Sequence, residues 1–191
     1  MKKRKKSLVI VSLFASLSLI LGACTNNDNA NEKKQNNNEE MQGMDHSEMD
    51  MSGEVPKGMK EATNPTYKVG SKAIINANHM KGMNGAKATI VGVYDTTVYA
   101  VSYTPTTGGS RVENHKWVVQ EDIKDAGDKS FKPGSEVTLE ANHMEGMKGA
   151  TAKIDTAEKT TVYMVDYKPT TGGKEVKNHK WVTESELSSA E

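Results

Sequence analysis

Hydrophobic and polar residues divide the chain into three zones. An apolar run from Leu8 to Leu21 is followed by a polar stretch up to about residue 61, and then by short segments in which apolar and polar residues alternate. Alternation with a period of two, in segments rich in β-branched residues and Tyr, is typical of β-strands. The pattern therefore predicts an all-β region that starts near residue 62.

The first zone predicts a signal peptide over residues 1–23. Basic residues occupy positions 2–6, and the apolar run is shorter than the roughly 20 residues needed to span a bilayer. The run ends in Leu21-Gly22-Ala23-Cys24, which resembles a bacterial lipobox, where the chain is cut before a Cys that carries diacylglycerol. We expect lipidation of Cys24 to hold the protein on the outer face of the cell membrane. The alternative is ordinary secretion with a spare Cys.

The second zone, residues 24–61, predicts a disordered tether. Its first part is nearly all Asn, Asp, Glu, Lys and Gln, which cannot bury enough apolar area to order the chain. Its second part is rich in Met, although it has no core for these thioethers to fill. A polar tail without a metal role is one interpretation. We favour a metal-capturing segment, with accessory ligands at Met44, His46, Met49 and Met51.

The third zone consists of two copies of one sequence repeat. Gly70–Ile123 aligns with Gly134–Leu187 at a constant offset of 64 positions without insertion or deletion. The most similar segments include TTVYAVSYTPTTGG, which matches TTVYMVDYKPTTGG, and VENHKWV, which matches VKNHKWV. The duplication predicts two small repeat domains, residues 62–126 and 127–191.

Each repeat predicts four or five short strands. In the first repeat these are Ala73–Ala77, Ala88–Val93, Thr97–Tyr103 and Val112–Val119, with a hairpin loop at residues 105–109. The third of these places Tyr99, Val101 and Tyr103 on one face, and a capping-box spacing at residues 183–186 predicts a terminal helical turn. The order of strands and loops in each repeat is similar to that of KOW-type folds and predicts two tandem SH3-like barrels.

Composition and charge narrow the function classes. The chain has 25 basic and 25 acidic residues, but without residues 1–23 it keeps 20 basic residues against the same 25 acids. An acidic exported chain is a poor candidate for nucleic-acid binding. A single Cys excludes a disulfide framework and thiolate-rich zinc sites. The sequence also lacks HExxH, phosphate-loop and Gly-x-Ser-x-Gly motifs, so we expect no enzymatic activity.

The candidate chemistry lies in Met and His residues that recur in both repeats. Thioethers are soft neutral ligands that suit Cu(I) or Ag(I), and imidazole extends the range to Cu(II). One His and two Met can satisfy Cu(I), although a Met in such a loop is also a common hydrophobic plug. His115 and His179 either complete the sites or form hydrogen bonds within the fold. The HMxGM loops supply the principal predicted ligands: His79, Met80 and Met83, and His143, Met144 and Met147.

The duplicated pattern HMxGMxGA…TVYxVxYxPTTGG…NHKWV, behind a lipobox and a Met/His-rich tether, resembles the YdhK family, which includes CopL-like copper-binding lipoproteins of Gram-positive bacteria. The resemblance implies a surface lipoprotein that sequesters Cu(I) outside the membrane and supports copper resistance. It assigns the metal to the six loop residues named above. A copper exporter is a conceivable partner, and a cell-wall or protein-interaction module without a metal role is the alternative function.

Overall fold

A computed structural model describes residues 51–190, and this part of the chain is all-β. Two single 3-10 turns, Gln120–Asp122 and Glu184–Glu186, accompany the strands. No helix within residues 51–190 has the length and hydropathy needed to cross a membrane. The strands are β1 (Lys60–Glu61), β2 (Lys72–Ile75), β3 (Lys87–Tyr103), β4 (Val112–Val119), β5 (Glu136–Thr138), β6 (Thr151–Tyr167), β7 (Val176–Thr183) and β8 (Leu187–Ser189).

The long strands β3 and β6 form the centre of the fold. They pair antiparallel along almost their whole length, from Ala88 opposite Tyr167 to Tyr103 opposite Ala152. Thr96 and Thr160, which occupy the same position in the two repeats, lie opposite each other at the midpoint. The pairing is therefore symmetrical, because each repeat presents the same strand to the other.

The other strands extend this centre into one open antiparallel sheet. Strands β1, β2 and β4 pair with β3, strands β5 and β7 pair with β6, and the C-terminal β8 pairs with β2. The all-β prediction is confirmed. The predicted strands at Ala88–Val93 and Thr97–Tyr103 are one continuous strand, because hydrogen bonds to the other repeat run through the expected break. The sheet is open, so two separate SH3-like barrels are not seen in the described residues.

The hydrophobic cores mix the repeats. One core joins Ile75 and Ile90 of the first repeat to Tyr163 and Val182 of the second. The other core has the reverse composition and contains Tyr99, Val101 and Tyr103, which share one face as the alternation predicted. Each core thus combines the first half of one repeat with the second half of the other. The predicted boundary near residue 127 separates two sequence repeats but not two cores.

A third cluster lies around Trp117 and Trp181, both buried. The N-terminal segment of the described chain contacts this region: Met59 packs against the cluster, and Lys180 Nζ donates a hydrogen bond of 2.8 Å to the Glu54 carbonyl. Tyr94 packs edge-on against Trp181, whereas its counterpart in the second repeat is Glu158. The edge-on contact of Tyr94 with Trp181 therefore has no aromatic equivalent at Glu158 in the second repeat.

Candidate functional site

Each HMxGM loop docks on the Pro-Thr-Thr-Gly-Gly loop of the other repeat. Gly82 adopts a φ of +77°, and its carbonyl accepts a 2.8 Å hydrogen bond from the Thr170 amide. A Cβ at Gly82 would lie 2.5 Å from Thr171 Oγ1, closer than atoms can approach. Gly146 makes the equivalent contact with Thr106 in the other direction. Gly82 and Gly146 are therefore explained by close packing between the repeats.

The loop methionines are buried in the two mixed cores. Met83 and Met147 have no exposed surface, and Met80 and Met144 are 6% exposed. Such packing is that of the hydrophobic plug which the sequence left as an alternative, and it accounts for Met83 and Met147 without a metal. Met51 differs from the loop methionines because it is 40% exposed. Thioether ligation remains a prediction for all five.

The loop histidines are held by carboxylates from the other repeat. His79 Nε2 lies 2.7 Å from Glu186 Oε1, and His143 Nε2 lies 3.2 Å from Asp122 Oδ2. In both rings Nδ1 is buried and has no hydrogen-bond partner among residues 51–190. With Nε2–H donating to the carboxylate, Nδ1 carries the free lone pair that a metal requires.

Sequence reasoning missed both carboxylates. Each lies in the 3-10 turn that follows the Trp-bearing strand, and the two positions are 64 residues apart, as the repeats require. Glu186 also accepts a 3.0 Å hydrogen bond from the Thr183 amide, which forms the predicted capping box. The recurrence of an acid at this position was a visible signal. The sequence did not show that this acid contacts a His in the other repeat.

His115 on β4 approaches the second loop. It is 4% exposed, and its ring centroid lies 6.2 Å from that of His143 and 6.0 Å from that of Tyr103. Neither ring nitrogen has a hydrogen-bond partner in the described part of the chain. Burial, followed by the proximity of His143 and His79, lowers the pKa of His115 to about 3. His115 is therefore a neutral imidazole, the form that binds metals.

The two equivalent His–carboxylate pairs, His79 with Glu186 and His143 with Asp122, differ by one methylene group in the acidic side chain. Glu186 is long enough to accept a 2.9 Å hydrogen bond from Trp117 Nε1 as well as contacting His79. Asp122 stands at the equivalent position in the first repeat, and Trp181 Nε1 is buried without a partner within residues 51–190. Burial would raise the pKa of Glu186, but His79 and the other donors lower it to about 2.

The predicted ligands are thus only partly brought together. His115 and His143 are adjacent, and His79 is close enough to affect the pKa of His115. His179 is 3% exposed and packs edge-on against Tyr167. No group of three His, Cys, Asp or Glu side chains that could hold one ion occurs within the described residues. The accessory and lipidation positions Cys24, Met44, His46 and Met49 lie outside those residues.

Comparison with known proteins matches the repeats to one family. Residues 69–120 and 133–184 each match the family described as "Protein of unknown function (DUF1541)". The chain is 59% identical over 195 residues to the uncharacterized protein YdhK of Bacillus subtilis (strain 168). The alignment covers 98% of this chain and 94% of that protein.

Solved structures agree with this assignment. A crystal structure of YdhK from Bacillus subtilis, a DUF1541 family protein, is 69% identical and covers 76% of this chain and 100% of that chain, with a TM-score of 0.72. A solution NMR structure of the YdhK C-terminal domain is 72% identical and covers 64% of this chain and 92% of that chain, with a TM-score of 0.61. This chain belongs to the DUF1541 family, to which YdhK also belongs.

Proposed function

We propose that this chain is a copper-binding lipoprotein, anchored by Cys24, that sequesters Cu(I) outside the membrane and supports copper resistance. The observation that carries the proposal is the pair of buried loop histidines, His79 and His143. Each has one ring nitrogen held by a carboxylate and the other without a partner among residues 51–190.

This arrangement is the one that metal-binding histidines commonly use. A carboxylate that accepts the Nε2–H fixes the tautomer, orients the ring and makes the opposite nitrogen a better ligand. Without a ligand, a buried unpartnered nitrogen carries a desolvation cost of about 1–3 kcal/mol. The same arrangement occurs twice, at His79 with Glu186 and at His143 with Asp122. A structural role alone would leave both Nδ1 atoms unexplained.

Copper is the metal that best suits the surrounding groups. Met80 and Met144 follow the two histidines directly and supply soft thioethers, which favour Cu(I) over Zn(II). Outside the cell, thiols tend to be oxidised, whereas thioethers persist as soft ligands. The Met-rich tether would raise the local capacity for copper, and release from it to a copper exporter is a variant of the same function.

The test is an anaerobic Cu(I) titration of the full chain against a chromophoric chelator. Met44, Met49 and Met51 are changed to Leu, and His46 to Gln, so that the four accessory ligands predicted in the tether no longer contribute to binding. In this background we expect Cu(I) to compete with the chelator, and the added changes His79→Gln and His143→Gln to weaken binding by about tenfold or more.

A matched control keeps the histidines and changes the thioethers. Met80 and Met144 are replaced by Leu, which preserves volume. The loss of Cu(I) affinity relative to the parent then reports the contribution of sulfur. Absence of Cu(I) binding in the parent, or binding that survives both the His and the Met changes, would refute the proposal. Retention on purified cell-wall material without metal would instead favour the interaction-module alternative.

A further inference from the structure

We propose that His115 and His143 form one shared metal site between the repeats, which takes a single two-coordinate cation, Cu(I) or Ag(I). The inference rests on the proposed copper function and specifies which residues meet. It assigns the site to two residues from different repeats, His115 from β4 and His143 from the second loop. Neither repeat holds it alone.

The ring spacing matches what a shared ion requires. An ion about 2 Å from one nitrogen of each imidazole lies roughly 3.2 Å from each ring centroid, so that two rings sharing it stand up to about 6.4 Å apart. The observed centroid separation of His115 and His143 is 6.2 Å, with 39° between the ring planes.

The two rings together carry three buried nitrogens without a hydrogen-bond partner among residues 51–190. Both ring nitrogens of His115 and the Nδ1 of His143 are buried and lack hydrogen-bond partners in the described region. His115 is 4% exposed, so bulk water does not satisfy it. A bound ion removes the cost of leaving these atoms unsatisfied.

Asp122 acts as a positioning residue for the site. Its carboxylate holds His143 Nε2 at 3.2 Å and so leaves Nδ1 as the ligating atom. His79, the other nearby histidine, is engaged by Glu186 at 2.7 Å. Two imidazoles without a third His, Cys, Asp or Glu donor within residues 51–190 do not complete the tetrahedral shell of Zn(II). Closed-shell monovalent coinage ions accept two ligands.

The site can be identified directly with silver, which does not change oxidation state during the experiment. The full chain, carrying ¹⁵N-labelled histidine, is titrated with silver nitrate and examined by NMR for through-bond coupling between silver and the imidazole nuclei. We expect coupling at both His115 and His143 in the unaltered protein. This measurement does not depend on the folding of any variant.

Two variants and a matched control then test the roles of the residues. His115→Asn should abolish the coupling at His143 and weaken Ag(I) binding in the folded repeats by about tenfold or more, and Asp122→Asn should weaken it by about tenfold. His179→Asn is the control, because His179 is equally buried and packs against Tyr167 as His115 packs against Tyr103. It should leave the coupling at His115 and His143 intact.

The outcomes separate this inference from the proposed function. Silver coupling at His143 or His79 without coupling at His115 overturns the shared site and leaves copper binding standing. Loss of coupling at His143 in the His179 variant also overturns it. If no imidazole nucleus responds to silver, the shared site is overturned, and if the Cu(I) titration also shows no binding, both proposals fall.

Discussion

Shortening Glu186 to Asp tests whether one methylene group decides the difference between the two ends of the site. Glu186 accepts hydrogen bonds from Trp117 Nε1 at 2.9 Å and from the Thr183 amide at 3.0 Å, and it contacts His79 at 2.7 Å. Removing a methylene withdraws the carboxylate by about 1.5 Å, the length of one carbon–carbon bond. It cannot then reach the indole and the imidazole together.

The magnitude follows from the burial of these groups. Trp117 is 7% exposed, and the Glu186 side chain is 15% exposed, so water does not readily replace the lost partner. A hydrogen bond to a charged group contributes about 1.5–3 kcal/mol, and we expect Glu186→Asp to lower the free energy of unfolding by about 2 kcal/mol. The other repeat already shows this state, since Asp122 reaches His143 but leaves Trp181 Nε1 without a partner within residues 51–190.

The assay is equilibrium urea unfolding of the metal-free protein, followed by far-ultraviolet circular dichroism so that the altered Trp environment does not bias the signal. Asp122→Glu is the reciprocal variant and should raise the free energy of unfolding by about 1 kcal/mol, because it brings a carboxylate within reach of Trp181. A loss below about 0.5 kcal/mol for Glu186→Asp, or a destabilising Asp122→Glu, would refute the reasoning.

Three further predictions concern protonation and packing. His115 takes up a proton near its ordinary pKa of 6.5 when unfolded but only near 3 when folded, so the free energy of unfolding decreases as the pH is lowered from 6.5 to 3. His115→Asn should reduce the slope of this pH dependence in urea unfolding by about one proton, and an unchanged slope contradicts this. Gly146→Ala should cost about 3 kcal/mol against about 1 for Gly149→Ala, because both glycines have positive φ but only the first would place a Cβ 2.6 Å from Thr107 Oγ1; equal losses of melting temperature would contradict it. Met83→Leu should cost less than about 1.5 kcal/mol and Met83→Ala about 2–5 kcal/mol in denaturant unfolding, since Met83 fills a core; similar losses for both would show that volume is not what this side chain supplies.

Local features of the fold were predictable because they depend on neighbouring residues. The alternation of Tyr99, Val101 and Tyr103 correctly placed these side chains on one face, and β4 begins and ends where the pattern predicts. The capping box at residues 183–186 was also predictable from a four-residue spacing. Each of these features is decided within a few residues, where period and propensity act directly.

The partners of the repeats could not be predicted in the same way. Two similar repeats present similar strand edges and apolar faces, so the sequence pattern is compatible with packing within a repeat and between repeats. The structure selects pairing between β3 and β6. For this reason two barrels were predicted where one open sheet and two mixed cores form.

The candidate site shows the same division. Its His and Met residue types, and their recurrence, follow from the chain itself, as does membership in a duplicated all-β family. Only the tertiary structure decides that Met83 fills a core, that Glu186 orients a histidine 107 positions away, and that His115 of one repeat approaches His143 of the other. The physical reason is that the local pattern of residues determines strands and turns, whereas a ligand set depends on which residues, distant in the sequence, pack together and exclude water.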